Sequence, residues 1–121
     1  MSRVQELNRV LREFQAGTPE IEAAAVISED GLVIASALPQ HIEEMRVAGM
    51  SATLLSLGSR AAGELARGDL EQVIIRGPKG YVVMVNAAPG TLLLVLATQT
   101  AKLGLIFLDM RRAVAEICRI L

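Results

Sequence analysis

Histidine and cysteine, two residue types that often act in catalysis or bind metals, occur once each in the chain, as His41 and Cys118. A catalytic histidine needs a nucleophile or a second titratable group within hydrogen-bond reach. No serine, cysteine or carboxylate pair of suitable spacing accompanies His41, so we interpret it as a solvent-exposed or capping residue. Cys118 has no cysteine or histidine partner nearby in the sequence, and we interpret it as a small packing residue of a C-terminal helix.

The other charged motifs do not assemble a catalytic set either. The segment GPKG at 77–80 resembles a phosphate-binding loop in composition, but it lacks the spacing and joins two predicted strands. Glu43 and Glu44 are adjacent on a predicted helix, so their carboxylates point in different directions. No cluster has the spacing of metal ligands. The sequence therefore predicts no catalytic residue, no cofactor and no metal.

Two further charged positions have alternative interpretations. Asp30 precedes Gly31 between two apolar runs, which is a strong hairpin signal, so a turn residue is favoured over a carboxylate ligand. Arg111 and Arg112 lie in the last predicted helix. We interpret this arginine pair as a solvated face, with a docking site for an acidic partner as the alternative.

Composition limits the remaining function classes. A chain of 121 residues is expected to form one domain over 1–121. It is 52% hydrophobic with a mean hydropathy of +0.44, which is high for a monomer. A net charge of −1 and only two Phe, one Tyr and no Trp argue against nucleic acid as a partner. The N-terminus lacks the apolar segment of a signal peptide. We expect a cytoplasmic protein without membrane insertion, whose excess apolar surface is buried by assembly.

Hydrophobic periodicity and turn residues predict eight elements. Helices are predicted at 2–16, 40–68 and 101–121, and strands at 20–28, 32–38, 70–76, 81–87 and 91–98. Ser2 and Gln5 form a potential capping box for the first helix. Gly68 is the expected cap at the end of the long helix. Thr98 and Thr100 are the N-cap candidates for the last helix.

The short turns between the last three strands require antiparallel pairing, because parallel strands need long crossovers. Strands 81–87 and 91–98 are apolar on both faces and must be central, whereas strand 70–76 is more polar and lies nearer an edge. The expected fold is α+β, in the order α-β-β-α-β-β-β-α. It has a five-stranded antiparallel sheet, with the long middle helix on one face and the two terminal helices on the other.

The middle helix has two apolar stripes and little charge along its centre. The first stripe contains mostly large residues: Val47, Met50, Leu54, Leu57, Ala61 and Leu65. The second contains mostly small ones: Ala48, Ser51, Ala52, Leu55, Ser59, Ala62 and Ala66. We expect the large-residue stripe to pack on the sheet and the small-residue stripe to contact another chain, because small side chains let helix backbones approach closely. The alternatives are a centrally buried helix and a solvated face of Ala and Ser.

The joint pattern of these segments resembles the Roadblock/dynein light chain family over nearly the whole chain. The segments are the hairpin EAAAVISEDGLVIASAL at 22–38, the meander VIIRGPKGYVVMVNAAPGTLLLVLAT at 73–98 and the ending LGLIFLDMRRAVAEI at 103–117. Within the family, the chain is similar to prokaryotic members, including the gliding-motility MglB type. No single motif carries the resemblance, which lies in the combination of segments and the small-residue helix.

This resemblance implies a homodimer in which the middle helices pair and strands equivalent to 70–76 join edge to edge. It also implies binding to a small Ras-like GTPase, with stimulation of GTP hydrolysis by some members. The residues assigned to the dimer or GTPase interface are Ala48, Ser51, Ala52, Leu55, Ser59 and Ala62, with Met45 and Gly49 on the GTPase-facing rim and Val73 and Ile75 on the joining strand. Fold resemblance alone does not transfer an activity.

The hypothesis from the sequence is a non-enzymatic homodimeric regulator or scaffold for a small Ras-like GTPase. Arg46 and Arg60 lie on the middle helix, but nothing in the sequence marks either as a catalytic arginine. The alternatives are a small-molecule-sensing module and a purely structural dimer. For the sensing module, Asn86 is the main polar residue on the central strands.

Overall fold

The computed structural model of the chain describes residues 2–121 and contains three helices and five strands. In chain order they are α1 (Arg3–Gly17), β1 (Ile21–Ser28), β2 (Val33–Ala37), α2 (Glu44–Glu64), β3 (Gln72–Gly77), β4 (Gly80–Ala88), β5 (Thr91–Ala97) and α3 (Leu103–Ile120). This is the predicted order α-β-β-α-β-β-β-α, and the α+β fold class is confirmed.

All neighbouring strands in the sheet are antiparallel, in the order β2-β1-β5-β4-β3. The all-apolar β5 is at the centre, β4 lies beside it, and β3 is an edge strand, as predicted from their polarity. The tight turn between β1 and β2 is also confirmed, because Gly31 has φ 85° and its N–H donates to the Ser28 carbonyl at 3.0 Å. The sheet therefore has two edge strands, β2 and β3, each with one unpaired edge among the described residues.

Two hydrophobic clusters fill the space on the two faces of the sheet. Helices α1 and α3 cover one face, where their buried residues pack with alternate residues of β1, β4 and β5. Helix α2 covers the other face, where Ala48 and Leu55 pack with Ile27, Met84 and Leu92. The predicted division of the helices between the faces is therefore confirmed.

The helix ends agree with the sequence at α1 and differ at the other two helices. The capping box is formed, with the Ser2 hydroxyl accepting from the Gln5 N–H at 3.2 Å. Helix α2 begins later than predicted because residues after Pro39 form a turn, in which the Ile42 N–H donates to the Pro39 carbonyl at 3.0 Å. Helix α3 begins at Leu103 rather than 101.

The two predicted N-cap candidates for α3 do not cap it. The hydroxyls of Thr98 and Thr100 instead lie 3.2 Å apart and share a hydrogen bond. The N-cap position belongs to Lys102, whose backbone is extended and whose side chain makes no capping bond. The start of α3 is therefore set by backbone geometry rather than by a side-chain cap.

The end of α2 is a Schellman motif with alanine at its left-handed position. The Arg67 N–H donates to the Ala62 carbonyl at 2.8 Å and the Ala66 N–H to the Gly63 carbonyl at 3.1 Å. Ala66 has φ 56°, a conformation that costs an L-residue with a side chain about 1–2 kcal/mol. The prediction that Gly68 caps this helix is therefore wrong by two residues.

Ala66→Gly is expected to raise the free energy of unfolding by about 1 kcal/mol, because glycine adopts the left-handed conformation without strain. Ala115→Gly is the matched control, since Ala115 is exposed in the interior of α3. There, the same change should lower stability by about 0.5–1 kcal/mol. Urea denaturation of the wild type and the two variants, at equal protein concentration, measures both changes in the free energy of unfolding. Equal destabilisation by the two changes would contradict the assignment of strain to Ala66.

Candidate interaction surface

The orientation of α2 is opposite to the one predicted. Ala48 is fully buried, and Ser51 and Leu55 are at least nine-tenths buried, all against the protein's own sheet. These three residues therefore lie inside the protomer and are not available to a partner, which corrects their assignment to the interface. The physical reason is volume: the sheet already supplies large side chains on this face, so small residues let α2 pack closely against it.

The stripe of mostly large residues consequently faces outward. Met50 and Leu57 are 54% and 57% exposed, and Leu54 and Leu65 are also exposed. The prediction that this stripe packs on the sheet is wrong except at Val47, which packs against the cluster under α2. We call Met50, Leu54, Leu57, Ala61 and Leu65 the exposed α2 stripe. Scattered exposed apolar residues are ordinary, but a contiguous apolar strip indicates an interaction surface.

Edge strand β3 adjoins this stripe. Val73 and Ile75 pair with Met84 and Val82, two β4 residues that pack on the α2 side of the sheet, so both belong to that side. Val73 is half-buried under α2 and Ile75 is 41% exposed. The structure thus places the two predicted strand residues beside α2, on the strand whose second edge is unpaired.

Gly58 shows how closely α2 approaches β3. A Cβ atom at Gly58 would lie 3.1 Å from Val73 Cγ2 and 3.2 Å from Leu70 Cδ2. Leu54 and Ala61, four residues before and three after Gly58, share this side of the helix. The exposed α2 stripe and the free edge of β3 therefore form one continuous apolar surface.

The remaining predicted residues lie on the other flank of α2, towards the β1–β2 and β4–β5 turns. A Cβ atom at Gly31 would lie 3.5 Å from the Gly49 Cα. Ala52 and Ser59 line a cleft of about 440 Å³. Met45 is 84% exposed. Ala62 is half-buried and lies instead on the side of α2 that faces the sheet, since it follows Leu55 by seven residues. The structure therefore separates these residues from the exposed α2 stripe.

Sequence reasoning missed the cleft between α2 and the two turns. It is lined by Glu29, Asp30, Ala52, Leu55, Ser56, Ser59, Asn86, Gly90, Thr91 and Leu92. The turn residues come from segments far apart in the sequence and meet only because β1 and β5 are neighbours. Asn86 was the one signal in the sequence, as a polar residue on an otherwise apolar central strand.

The chemically reactive side chains within residues 2–121 do not form a cluster. Within this range no group of three or more His, Cys, Asp and Glu residues is placed to hold a metal ion. His41 is exposed, and the exposed Cys118 donates a hydrogen bond to the Ala87 carbonyl. Among the same residues, no helix combines the length and apolar character needed to cross a membrane.

The arginines of α2 are held in ion pairs on its outer surface. Arg46 Nη2 lies 3.5 Å from Glu43 Oε2, and Arg60 Nε lies 2.9 Å from Glu64 Oε1. All four side chains are more than 60% exposed, so these pairs contribute little to stability. Their geometry favours neither arginine for insertion into a partner's active site.

Comparison with known proteins identifies relatives over most of the chain. The family model for the Roadblock/LC7 domain matches residues 7–97. The uncharacterized protein MJ1340 of Methanocaldococcus jannaschii is 39% identical over 111 residues, which cover 92% of this chain and 96% of that protein.

Solved structures are similar over most of their length. A Roadblock/LC7 domain from Streptomyces avermitilis has a TM-score of 0.85 and 25% identity, covering 91% of this chain and 92% of that one. Myxococcus xanthus MglB has a TM-score of 0.88 and 19% identity, covering 97% and 88%, and shows likeness of fold. With its family-model match, its relatives and its fold, this chain belongs to the Roadblock/LC7 domain family.

Proposed function

We propose that the protein is a non-enzymatic homodimer that binds a small Ras-like GTPase as a regulator or scaffold. The observation that carries the proposal is the continuous apolar surface formed by the exposed α2 stripe and the free edge of β3. A monomer would leave this surface in water, whereas a second copy covers it with an identical surface. Resemblance to the Roadblock/dynein light chain family supports the same arrangement.

In the proposed dimer, β3 pairs with β3 of the second copy and the two α2 helices pack side by side. Edge strands with unpaired N–H and C=O groups favour such pairing. Ile74 and Ile75 are each 41% exposed, on opposite faces of β3, and few charges protect this edge. The sheet then continues through the two-fold axis, and the α2 stripes bury one another on one side of it.

The GTPase is proposed to contact the opposite flank of α2, where Met45 and Gly49 remain exposed in this dimer. The GTPase contact therefore stays at Met45 and Gly49, as assigned from the sequence, whereas the contact between the two copies moves to the large residues of the exposed α2 stripe. Because Arg46 and Arg60 are engaged with glutamates of their own helix, we favour reshaping of the GTPase's own switch loops over a supplied arginine.

Nucleotide-dependent capture tests the GTPase part. Immobilised protein is incubated with lysate from its source cell in GDP or in a non-hydrolysable GTP analogue, and bound proteins are identified by mass spectrometry. We expect one small Ras-like GTPase, retained with the analogue and reduced at least tenfold with GDP. Capture of the same proteins in both nucleotides, with no GTPase among them, would refute the GTPase part of the proposal and would not affect the dimer part.

Two glycine variants localise the contact. Gly49→Arg is expected to remove GTPase capture by steric conflict with the bound GTPase, whereas Gly104→Arg on α3 should leave it unchanged. The pair is matched because both glycines are exposed in helices, and a Cβ atom at either would meet no atom of a neighbouring element within 4 Å. Loss of capture in both variants would contradict the proposed location.

A second candidate function is the sensing of a small molecule in the cleft beside α2. The observation in its favour is that Asn86 and Asp30 line this cleft of about 440 Å³, because such sites combine a concave shape with a few polar groups. Native mass spectrometry of the purified protein would support this candidate if a stoichiometric ligand co-purified. A third candidate is a structural dimer with no nucleotide dependence.

A further inference from the structure

The side of the sheet opposite α2 contains a groove that the proposed function does not use. Helix α3 packs against α1 and β4, while β3 is largely exposed. Gln72, Ile74 and Arg76 project to this side, since they pair with Val85, Val83 and Tyr81, which contact the cluster under α1 and α3. We call the groove between α3 and β3 the α3–β3 trough.

Two separate cavities lie on this side of the sheet, one at each end of β3. One has a volume of about 560 Å³ and is lined by Glu71, Gln72, Val85, Asn86, Phe107, Met110, Arg111 and Val114. The other has a volume of about 590 Å³ and lies between the β3–β4 turn and the loop before α3, where it is lined by Arg76, Gly77, Pro78, Tyr81, Gln99 and Thr100. From Gln72 to Arg76, β3 extends about 13 Å at about 3.3 Å per residue. This length matches two to three turns of an α-helix.

The wall formed by α3 is apolar and partly accessible. Phe107 and Val114 are half-buried, and Met110 between them is buried. On the facing strand, Ile74 is 41% exposed although it is flanked by the polar Gln72 and the charged Arg76. Apolar side chains on both walls favour an occupant that brings apolar side chains of its own.

Each end of the trough has one arginine without an ion-pair partner among residues 2–121. Arg112 and Arg119 of α3 are in ion pairs with Asp109 and Glu116 of the same helix. Neither Arg111 nor Arg76 takes part in an ion pair of residues 2–121. The guanidinium carbon of Arg76 lies 5.9 Å from the centroid of the Tyr81 ring, which favours one position for this cation.

Glu71 is the one carboxylate that lines the trough at the Arg111 end. It lies beyond 4 Å from every cation in the described chain, so the Arg111 guanidinium is free to pair with a carboxylate of an occupant. A guanidinium donates two parallel hydrogen bonds to a carboxylate. Two guanidinium groups at opposite ends of the trough therefore define both the charge of an occupant and the spacing of its carboxylates. Nucleic acid is disfavoured, because its backbone requires a row of cations rather than two beside an apolar wall.

We propose that the α3–β3 trough binds an acidic amphipathic segment of a partner protein. Apolar side chains of this segment pack against Phe107, Val114 and Ile74, and its carboxylates pair with Arg111 and Arg76. The surface lies on the opposite face of the sheet from α2. The proposal goes beyond the homodimer and the GTPase and does not depend on either.

The test uses a phage-displayed library of random 16-residue peptides selected against the full-length protein. We expect selected peptides to combine Asp or Glu with Leu, Ile, Val or Phe. Synthetic versions should bind at least tenfold more weakly to Arg111→Glu and to Arg76→Glu, and Arg111→Gln should show a smaller loss. Their affinity should also fall as NaCl is raised from about 50 to 500 mM, because the pairs are screened.

Arg12→Glu is the matched control, since Arg12 is exposed on α1, forms no ion pair within residues 2–121, and the change in net charge is the same. Peptide affinity should change less than twofold. Leu57→Glu, which is expected to dissociate the proposed dimer, should bind the peptides with the affinity of the wild type. Circular dichroism melting of each variant verifies that the fold is kept.

Four results would overturn the proposal. They are the absence of selected peptides, selected peptides without acidic residues, equal losses in Arg12→Glu and Arg111→Glu, and dissociation of a higher oligomer by Arg111→Glu. The last result would assign the trough to a second copy of this chain.

Discussion

Leu57→Glu is expected to convert the protein from a dimer to a monomer. Leu57 is 57% exposed in the middle of the exposed α2 stripe, so the protomer tolerates a charge there at a cost within about 0.5 kcal/mol. In the proposed dimer the same carboxylate is buried without a partner, at a cost of several kcal/mol. Since a two-fold interface contains the change twice, dimer affinity should fall by about a hundredfold or more.

Leu105→Glu is the matched control for this prediction, because Leu105 is also a helical leucine with 57% exposure, but on α3. Sedimentation velocity over a concentration series measures both variants, and far-UV circular dichroism reports whether the helices remain. Leu105→Glu should sediment as the wild type. A dimer that survives Leu57→Glu and dissociates with Leu105→Glu would move the interface to α3.

Much of the sheet could be predicted because strand polarity reports position in an antiparallel sheet. β5 is apolar on both faces, which requires cover on both sides and hence a central place. In β3, the polar Gln72 and Arg76 indicated an edge. The turn at Asp30-Gly31 fixed the first hairpin, since its signal is local in the sequence.

The orientation of α2 could not be predicted from its own sequence. Periodicity separates the two stripes of the helix, but it does not show which one packs on the sheet. That choice depends on the volumes of Ile27, Met84, Leu92 and Leu94, which come from three strands and fill the space under α2. A rule that places large helical residues inward therefore fails where the sheet is already bulky.

The interaction surfaces escaped sequence analysis for a related reason. The cleft beside α2 and the α3–β3 trough both depend on which elements leave part of the sheet uncovered. Arg111 illustrates the difference: the sequence shows an arginine pair on a helix, whereas the structure shows that Arg112 is paired with Asp109 and Arg111 is not. The surfaces arise from packing, and the residues themselves have ordinary local patterns.

Gly80→Ala is expected to destabilise the fold strongly. Gly80 has φ 142°, a conformation that is essentially restricted to glycine. A Cβ atom there would lie 2.4 Å from the Ala97 carbonyl oxygen, in the backbone of the neighbouring strand β5. Strain and the forced displacement of β5 should together cost about 2–4 kcal/mol. The melting temperature should fall by about 10 °C or more at fixed protein concentration.

Gly77→Ala tests whether this effect is specific, because Gly77 pairs with Gly80 in the same hairpin. A Cβ atom at Gly77 would have the Gly80 carbonyl oxygen as its nearest neighbour, at 4.0 Å, and the φ of Gly77 is not positive. We expect Gly77→Ala to change stability by less than about 1 kcal/mol. Differential scanning calorimetry and urea denaturation of both variants measure the difference. Equal losses of stability in the two variants would indicate that the β3–β4 turn does not tolerate side chains in general. A loss of stability confined to Gly80→Ala would show that the close approach to β5 fixes this end of β4. Since β4 holds β3 in the sheet, that contact also sets the position of the edge proposed to join the second copy.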